Sequence, residues 1–268
     1  MNTETDILQI KNISKYFELP AGARNLVLEN LNLSIEHNSE SGHIFSILAP
    51  FGAGKSTLLR IIAGLEKPSG GEVLYNYEEY KLSFRKIIYI PEKPSSFPWL
   101  NVKHNLAFAA ENGLNNNIEK NINNIISLVG LTGYENHFPD DSSRGFRFRI
   151  SLARALVVNP AFILIDDSIR NLDAETKREI YDIINIVANT LKITFVLATT
   201  NISEAIILSD SIFLMKKNPG LIFHELKLNK EPGKRLNIRK ENGFSSIKEE
   251  IELLLKSKDL AGEISFII

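Results

Sequence analysis

The stretch from Ala49 to Thr57, APFGAGKST, sets two glycines, a lysine and paired hydroxyls in a spacing suited to phosphate. Gly52 and Gly54 let the backbone turn so that successive N–H groups converge on anionic oxygens. Lys55 then reaches β- and γ-phosphates, and the Ser56 hydroxyl suits Mg²⁺. The candidate nucleotide-binding loop is Pro50, Phe51, Gly52, Ala53, Gly54, Lys55, Ser56 and Thr57. A second stretch, FILIDDSIRNLD, ends an apolar run in adjacent carboxylates, Asp166 and Asp167. At the end of a buried strand, Asp166 can hold Mg²⁺ through water opposite Ser56. The bland alternatives are a glycine turn before an ordinary helix and a helix-capping Asp-Asp-Ser. Such loops usually open on glycine, and Ala49 stands there instead; its fit depends on the local backbone angles.

These groups need a strand before the loop and a helix after it. HIFSILA is a continuous apolar run, and STLLRIIAGL places Leu58, Ile61, Ile62 and Leu65 on one helical face before the breaker EKPSGG. ILQIKNISKYF, LVLENLNLSI, GEVLYNY and RKIIYIP read as strands. AFILIDD and ITFVLATT read as buried strands flanking the helix AETKREIYDIINIVANTL, with FRFRISLARALVV a further helix. The segment from about 95 to 150 is Asn-rich and helical in period, with a stripe of Ile118, Ile122, Ile125, Ile126 and Val129. Strand–helix alternation predicts an α/β fold: a P-loop nucleotide-binding domain with a mostly parallel sheet, an N-terminal antiparallel β region and an inserted helical lobe. After Lys216 come a strand pair around KNPG, a polar linker NKEPGKRLNIRKENG and an amphipathic helix SSIKEEIELLLK. The expected units are residues 1–228, which bind nucleotide, and 229–268, the linker and helix. That helix is expected to pack rather than regulate.

The 268 residues carry a net charge of −1, with 44% hydrophobic and 24% charged residues, as in a globular domain. No excess of basic charge points to nucleic acid. The absence of cysteine excludes disulfides and thiolate metal sites. MNTETDILQI lacks the pattern of a signal peptide, and no apolar run approaches membrane-spanning length, so a cytoplasmic location is expected.

Taken together, these motifs resemble the nucleotide-binding subunit of an ABC transporter over about residues 7–225. APFGAGKSTLLRIIAGLEKPSGGEV resembles the family's loop and first helix. FPWLNVKHNLAF resembles the stretch after the glutamine loop, and SSRGFRFRISLARALVVNPAFILIDDSIRNLDAETK covers the signature through to the D-loop. ATTNISEA stands where T-H-D-x-x-E-A is usual. PWLNV and SDSIFLMKKNPGLIFHELKL are most similar to ATPases of nitrate, sulfonate and taurine importers. The resemblance implies ATP and Mg²⁺, with Phe17 stacking on adenine and Ser143 and Gly145 contacting the partner's nucleotide. It implies separate membrane permease subunits docked on the helical lobe, a second nucleotide-binding domain and a substrate-binding protein in the same system. The subunit would then sit peripherally on the inner face of the cell membrane.

Five functional positions depart from the family pattern: Ala49, Glu92, Arg144, Asp167 and Thr200. By the resemblance, Glu92 stands at the glutamine that senses Mg²⁺ and the γ-phosphate. Asp167 stands at the glutamate that polarises water, and Thr200 at the switch histidine. Aspartate is shorter than glutamate by one C–C bond, roughly 1.5 Å, and misplacement on the order of 1 Å can cost about a hundredfold in rate. Threonine cannot carry the positive charge that steadies a departing phosphate. Arg144 replaces the glycine between Ser143 and Gly145, and it either pairs with phosphate or swings outward. The expectation is nucleotide binding with weak or partner-dependent hydrolysis. An ordinary homodimeric importer ATPase and a regulatory module that uses ATP only to dimerise are the alternatives.

Overall fold

A computed structural model describes residues 5–38, 41–76, 78–79, 86–93, 95–111, 118–140, 143–228 and 243–258. Two sheets share the work. Strands β1 (Thr5–Glu18), β2 (Arg24–Asn38), β4 (Gly70–Tyr75) and β5 (Glu78–Glu79) form an antiparallel sheet in the order β2-β1-β4-β5. The larger sheet adds β3 (Ile44–Leu48), β6 (Ile87–Ile90), β7 (Phe162–Asp166), β8 (Thr194–Thr199), β9 (Ser211–Lys216) and β10 (Leu221–Lys227). Its order is β10-β9-β3-β8-β7-β6, parallel throughout except for β10.

The continuous apolar strands are explained by burial on both faces. In β7, Phe162 and Leu164 face the antiparallel sheet and helix α1 (Lys55–Ile62), while Ile163 and Ile165 face the helical side. That second core is built with α2 (Val102–Glu111), α3 (Ile118–Leu128), α4 (Arg144–Val157) and α5 (Ala174–Leu191). The α3 stripe is confirmed at Ile122, Ile125, Ile126 and Val129, all buried; the side chain of Ile118 lies outside the described residues. Helix α6 (Ile202–Leu208) and helix α7 (Gly243–Lys258) close a third cluster, in which Ile251 and Leu255 of α7 meet Ile206, Ile212 and Leu214. The tail helix is thus packed, and the linker expected before it lies outside the described residues except for Gly243, which opens α7.

One expectation needs amendment. Leu65 was expected on the buried face of α1 but is 53% exposed. The helix ends at Ile62, and Gly64 (φ 71°) turns the chain away before Leu65. Asn12, Asn30, Asn76, Asn159 and Asn218 all take positive φ, a conformation asparagine tolerates better than most non-glycine residues.

In an open α/β sheet, ligands sit beyond the carboxyl ends of the parallel strands. Here the phosphate loop follows β3, Glu92 follows β6, Asp166 ends β7 with Asp167 just after it, and Thr200 follows β8. Strand order therefore brings together segments far apart in sequence.

Candidate nucleotide site

Gly54 takes φ 92° as the N-cap of α1, and a Cβ there would lie 2.8 Å from Leu28 Cδ2. Glycine is required on both counts. Ala49 is not among the positive-φ residues, and its N–H donates to the Thr199 carbonyl at 3.2 Å, so alanine fits without strain. Lys55 is buried and donates from Nζ to the carbonyls of Ala49 (3.0 Å) and Pro50 (3.1 Å). Burial pulls its pKa down to about 8 against the opposing pull of Asp167 and Asp166. Phe51 at the loop tip is 71% exposed.

The Ser56 hydroxyl donates to Asp166 Oδ1 at 2.9 Å, joining the start of α1 to the end of β7. Tyr89 donates from its hydroxyl to Asp166 Oδ2 at 2.6 Å. Burial and that bond push the tyrosine pKa up to about 12, so it stays a donor. Sequence reasoning missed Tyr89; its signal was only a polar tip within the apolar strand IIYI. The hard-oxygen pair Ser56 and Asp166 fits Mg²⁺, which takes few protein ligands and shares the phosphates of its substrate.

Asp167 sits in the left-handed region (φ 51°), a conformation aspartate accepts more readily than glutamate. Its Oδ1 is buried without a hydrogen-bond partner, while Oδ2 lies 3.7 Å from Arg170 Nη1. Burial raises its pKa to about 7, with Lys55 pulling the other way. Thr200 is buried, and its hydroxyl has no hydrogen-bond partner. Glu92 is exposed and does not join the Ser56–Asp166 pair. It lines a cavity of about 340 Å³ with Lys93, Arg144, Arg147, Asp167 and Ser168.

That cavity opens beside the first turn of α4. Ser143 caps the helix, its Oγ accepting from the Phe146 N–H at 3.2 Å. Gly145 is buried, and a Cβ there would fall 2.3 Å from Thr176 Cγ2, so its smallness serves the packing of α4 on α5. Arg144 is exposed on the rim of the cavity in its own chain.

Phe17 is half-exposed near the end of β1, with Lys15 Nζ 4.8 Å from its ring centroid. It pairs with Asn25, two residues before Val27, whose side chain lies against Gly54. The hairpin between β9 and β10 also reaches the loop, and sequence reasoning missed this. A Cβ on Gly220 would lie 2.3 Å from the Ala53 carbonyl, and Gly220 N–H donates to Val27 O at 2.8 Å.

A strand, phosphate loop and helix, with a carboxylate from the parallel strand next but one, define a P-loop nucleotide-binding protein carrying an inserted helical lobe. The sequence matches the ABC transporter family over residues 28–170. It is 36% identical over 206 residues to the aliphatic sulfonates import ATP-binding protein SsuB 2 of Pseudomonas syringae pv. tomato, covering 77% of this chain and 83% of that protein. It is 33% identical over 245 residues to the SsuB protein of Bacillus cereus, covering 91% and 94%. The fold is similar to the dimeric ATP-binding cassette MJ0796 in a post-hydrolysis state bound to ADP and Pi, with a TM-score of 0.70 and 28% identity over 84% of this chain and 100% of that one. The chain belongs to the ATP-binding subunits of the ABC transporter family.

Proposed function

We propose that this chain is the ATP-binding subunit of an ABC importer, coupling ATP binding and hydrolysis to uptake through separate permease subunits. The observation that carries it is the Ser56–Asp166 contact of 2.9 Å, which joins phosphate loop and strand carboxylate. The relatives' names favour an organic anion such as a sulfonate as the solute. A substrate-binding protein would deliver it. Two nucleotide domains, identical or not, would sandwich ATP between the loop of one and the Ser143–Gly145 turn of the other. Arg144, Arg147 and the positive end of α4 give that turn a charge suited to the partner's phosphate.

Ser56 and Asp166 would hold Mg²⁺, whose charge offsets that of the phosphates. Lys55 neutralises β- and γ-oxygens, and Phe17 supports adenine. Asp167 Oδ1 accepts the proton of the attacking water. The water oxygen bonds to the γ-phosphorus, the bond from phosphorus to the bridging oxygen breaks, and its electron pair leaves with ADP.

Hydrolysis is weak in this account because the carboxylate is short and Thr200 brings no cation. The helical lobe supplies the permease surface. Phe97 packs edge-on to Phe108 (4.9 Å) and near Trp99 (5.4 Å), and Trp99 is 71% exposed. Asn105 fixes this loop, accepting from Phe97 N–H and donating to Leu100 O. No helix among the described residues is long and apolar enough to cross a membrane. The relatives' naming as import ATP-binding proteins supports a peripheral position beside separate permease chains.

The experiment is titration of a fluorescent ATP analogue with Mg²⁺. Lys55→Ala should remove most of the affinity; equal binding by wild type and variant would sink the assignment.

A further inference from the structure

Arg170 lies in the short turn between β7 and α5, three residues after Asp167. The turn is anchored on both sides. Ser168 donates from Oγ to the Pro91 carbonyl at 2.8 Å, Ile169 is buried in the core, and Arg170 N–H donates to Asp167 O at 3.2 Å. The Arg170 side chain therefore leaves from a fixed base. Its Nη1 stands 3.7 Å from Asp167 Oδ2, and its guanidinium lies 5.7 Å from the centroid of the Phe51 ring at the phosphate-loop tip. The other carboxylate oxygen, Oδ1, is buried and has no hydrogen-bond partner.

We propose that Arg170 is a positioning residue for ATP hydrolysis: it holds Asp167 Oδ2 against the phosphate loop, so that Oδ1 is presented to the attacking water. This rests on the ATPase role given above. A short carboxylate loses rate chiefly through misplacement, and a misplacement on the order of 1 Å is worth about a hundredfold. A cation that fixes one oxygen restricts the swing of the other. Phe51 limits the arginine in turn, because a guanidinium over an aromatic face is attracted there. The proton passes from water to Oδ1 as the oxygen–phosphorus bond forms, and Arg170 exchanges nothing. Its effect is therefore expected in turnover and not in nucleotide affinity. Lys55 also attracts this carboxylate, but the 3.7 Å contact with Arg170 is the ion pair that engages Oδ2.

The test measures Mg-ATP affinity and single-turnover phosphate release on the whole chain, comparing wild type, Arg170→Ala and Arg170→Lys, each also in an Asp167→Asn background. The expected result is a fall in turnover of about tenfold or more for Arg170→Ala. Affinity should change less than about twofold, Arg170→Lys should restore part of the rate, and Arg170→Ala should have no further effect once Asp167 is Asn. Three results overturn the proposal while leaving nucleotide binding intact: unchanged turnover in Arg170→Ala, an equal loss in both backgrounds, or a wild type that binds Mg-ATP without measurable turnover. A fall in affinity that matches the fall in rate overturns it too, since Arg170 would then be a binding residue. A wild type that binds no Mg-ATP overturns the ATPase role itself, and with it this proposal.

Discussion

Asp166 is held by two elements at once: Ser56 from α1 takes Oδ1, and Tyr89 from β6 takes Oδ2. Hydrogen bonds to a charged group contribute roughly 1.5 to 3 kcal/mol. Tyr89→Phe keeps the ring and removes the donor, so Mg-ATP affinity should weaken by about fivefold or more, measured by the same titration. Unchanged affinity would mean that Tyr89 merely packs. A separate residue sets a pH dependence of stability. His37 is buried against Phe162, with Nδ1 3.0 Å from Thr194 Oγ1, and burial lowers its pKa below the ordinary 6.5. The unfolded chain then binds a proton at His37 that the folded chain refuses. Its contribution to stability is full above 6.5 and is lost as pH falls through the lower folded value. Denaturant unfolding at pH 7.5 and pH 5.5 should show a larger loss for wild type than for His37→Gln; equal losses would remove His37 from the account.

The hairpin between β9 and β10 does more than end a sheet. Its Gly220 touches Ala53 and bonds to β2, so the edge of one sheet braces the phosphate loop against the other. A methyl group at Gly220 would meet the Ala53 carbonyl at 2.3 Å and must displace it. Gly220→Ala should weaken Mg-ATP binding and lower the melting temperature, in keeping with overpacking costs of about 1 to 3 kcal/mol. Native affinity in that variant would show the brace to be idle. The difference in legibility between these elements has a physical cause. The phosphate loop, Asp166 at the end of β7 and the lobe stripe were readable because each depends on local period and spacing. Tyr89 was not, since its role follows from the pairing of Tyr89 with Leu164, a register between segments far apart in the chain. Gly220 and the reach of Arg170 to Phe51 were missed for the same reason, whereas the Arg170–Asp167 pair is local. Leu65 failed differently, because the period of α1 continues on paper past the turn at Gly64.

At the scale of the molecule, one parallel sheet gathers four sequence segments at its carboxyl edge while the helical lobe carries an aromatic surface of its own. The nucleotide end keeps what binding needs: an unstrained loop despite Ala49, a buried Lys55 and the Ser56–Asp166 pair. On the function proposed above, Asp167 and Thr200 give it a shorter carboxylate and no cation at the switch position, which would slow hydrolysis. Binding is then separated from turnover. Thr200→His probes it with less backbone strain than Asp167→Glu, because Asp167 occupies the left-handed region. The decisive measurement is steady-state ATP turnover of the purified wild-type chain beside its Mg-ATP affinity, repeated with Thr200→His. The account predicts saturable binding, turnover far below about 1 per second, where typical enzymes begin, and a rise in turnover with Thr200→His at similar affinity. Turnover of a few per second or faster by the wild-type chain alone would contradict it and leave an ordinary homodimeric importer ATPase as the better description.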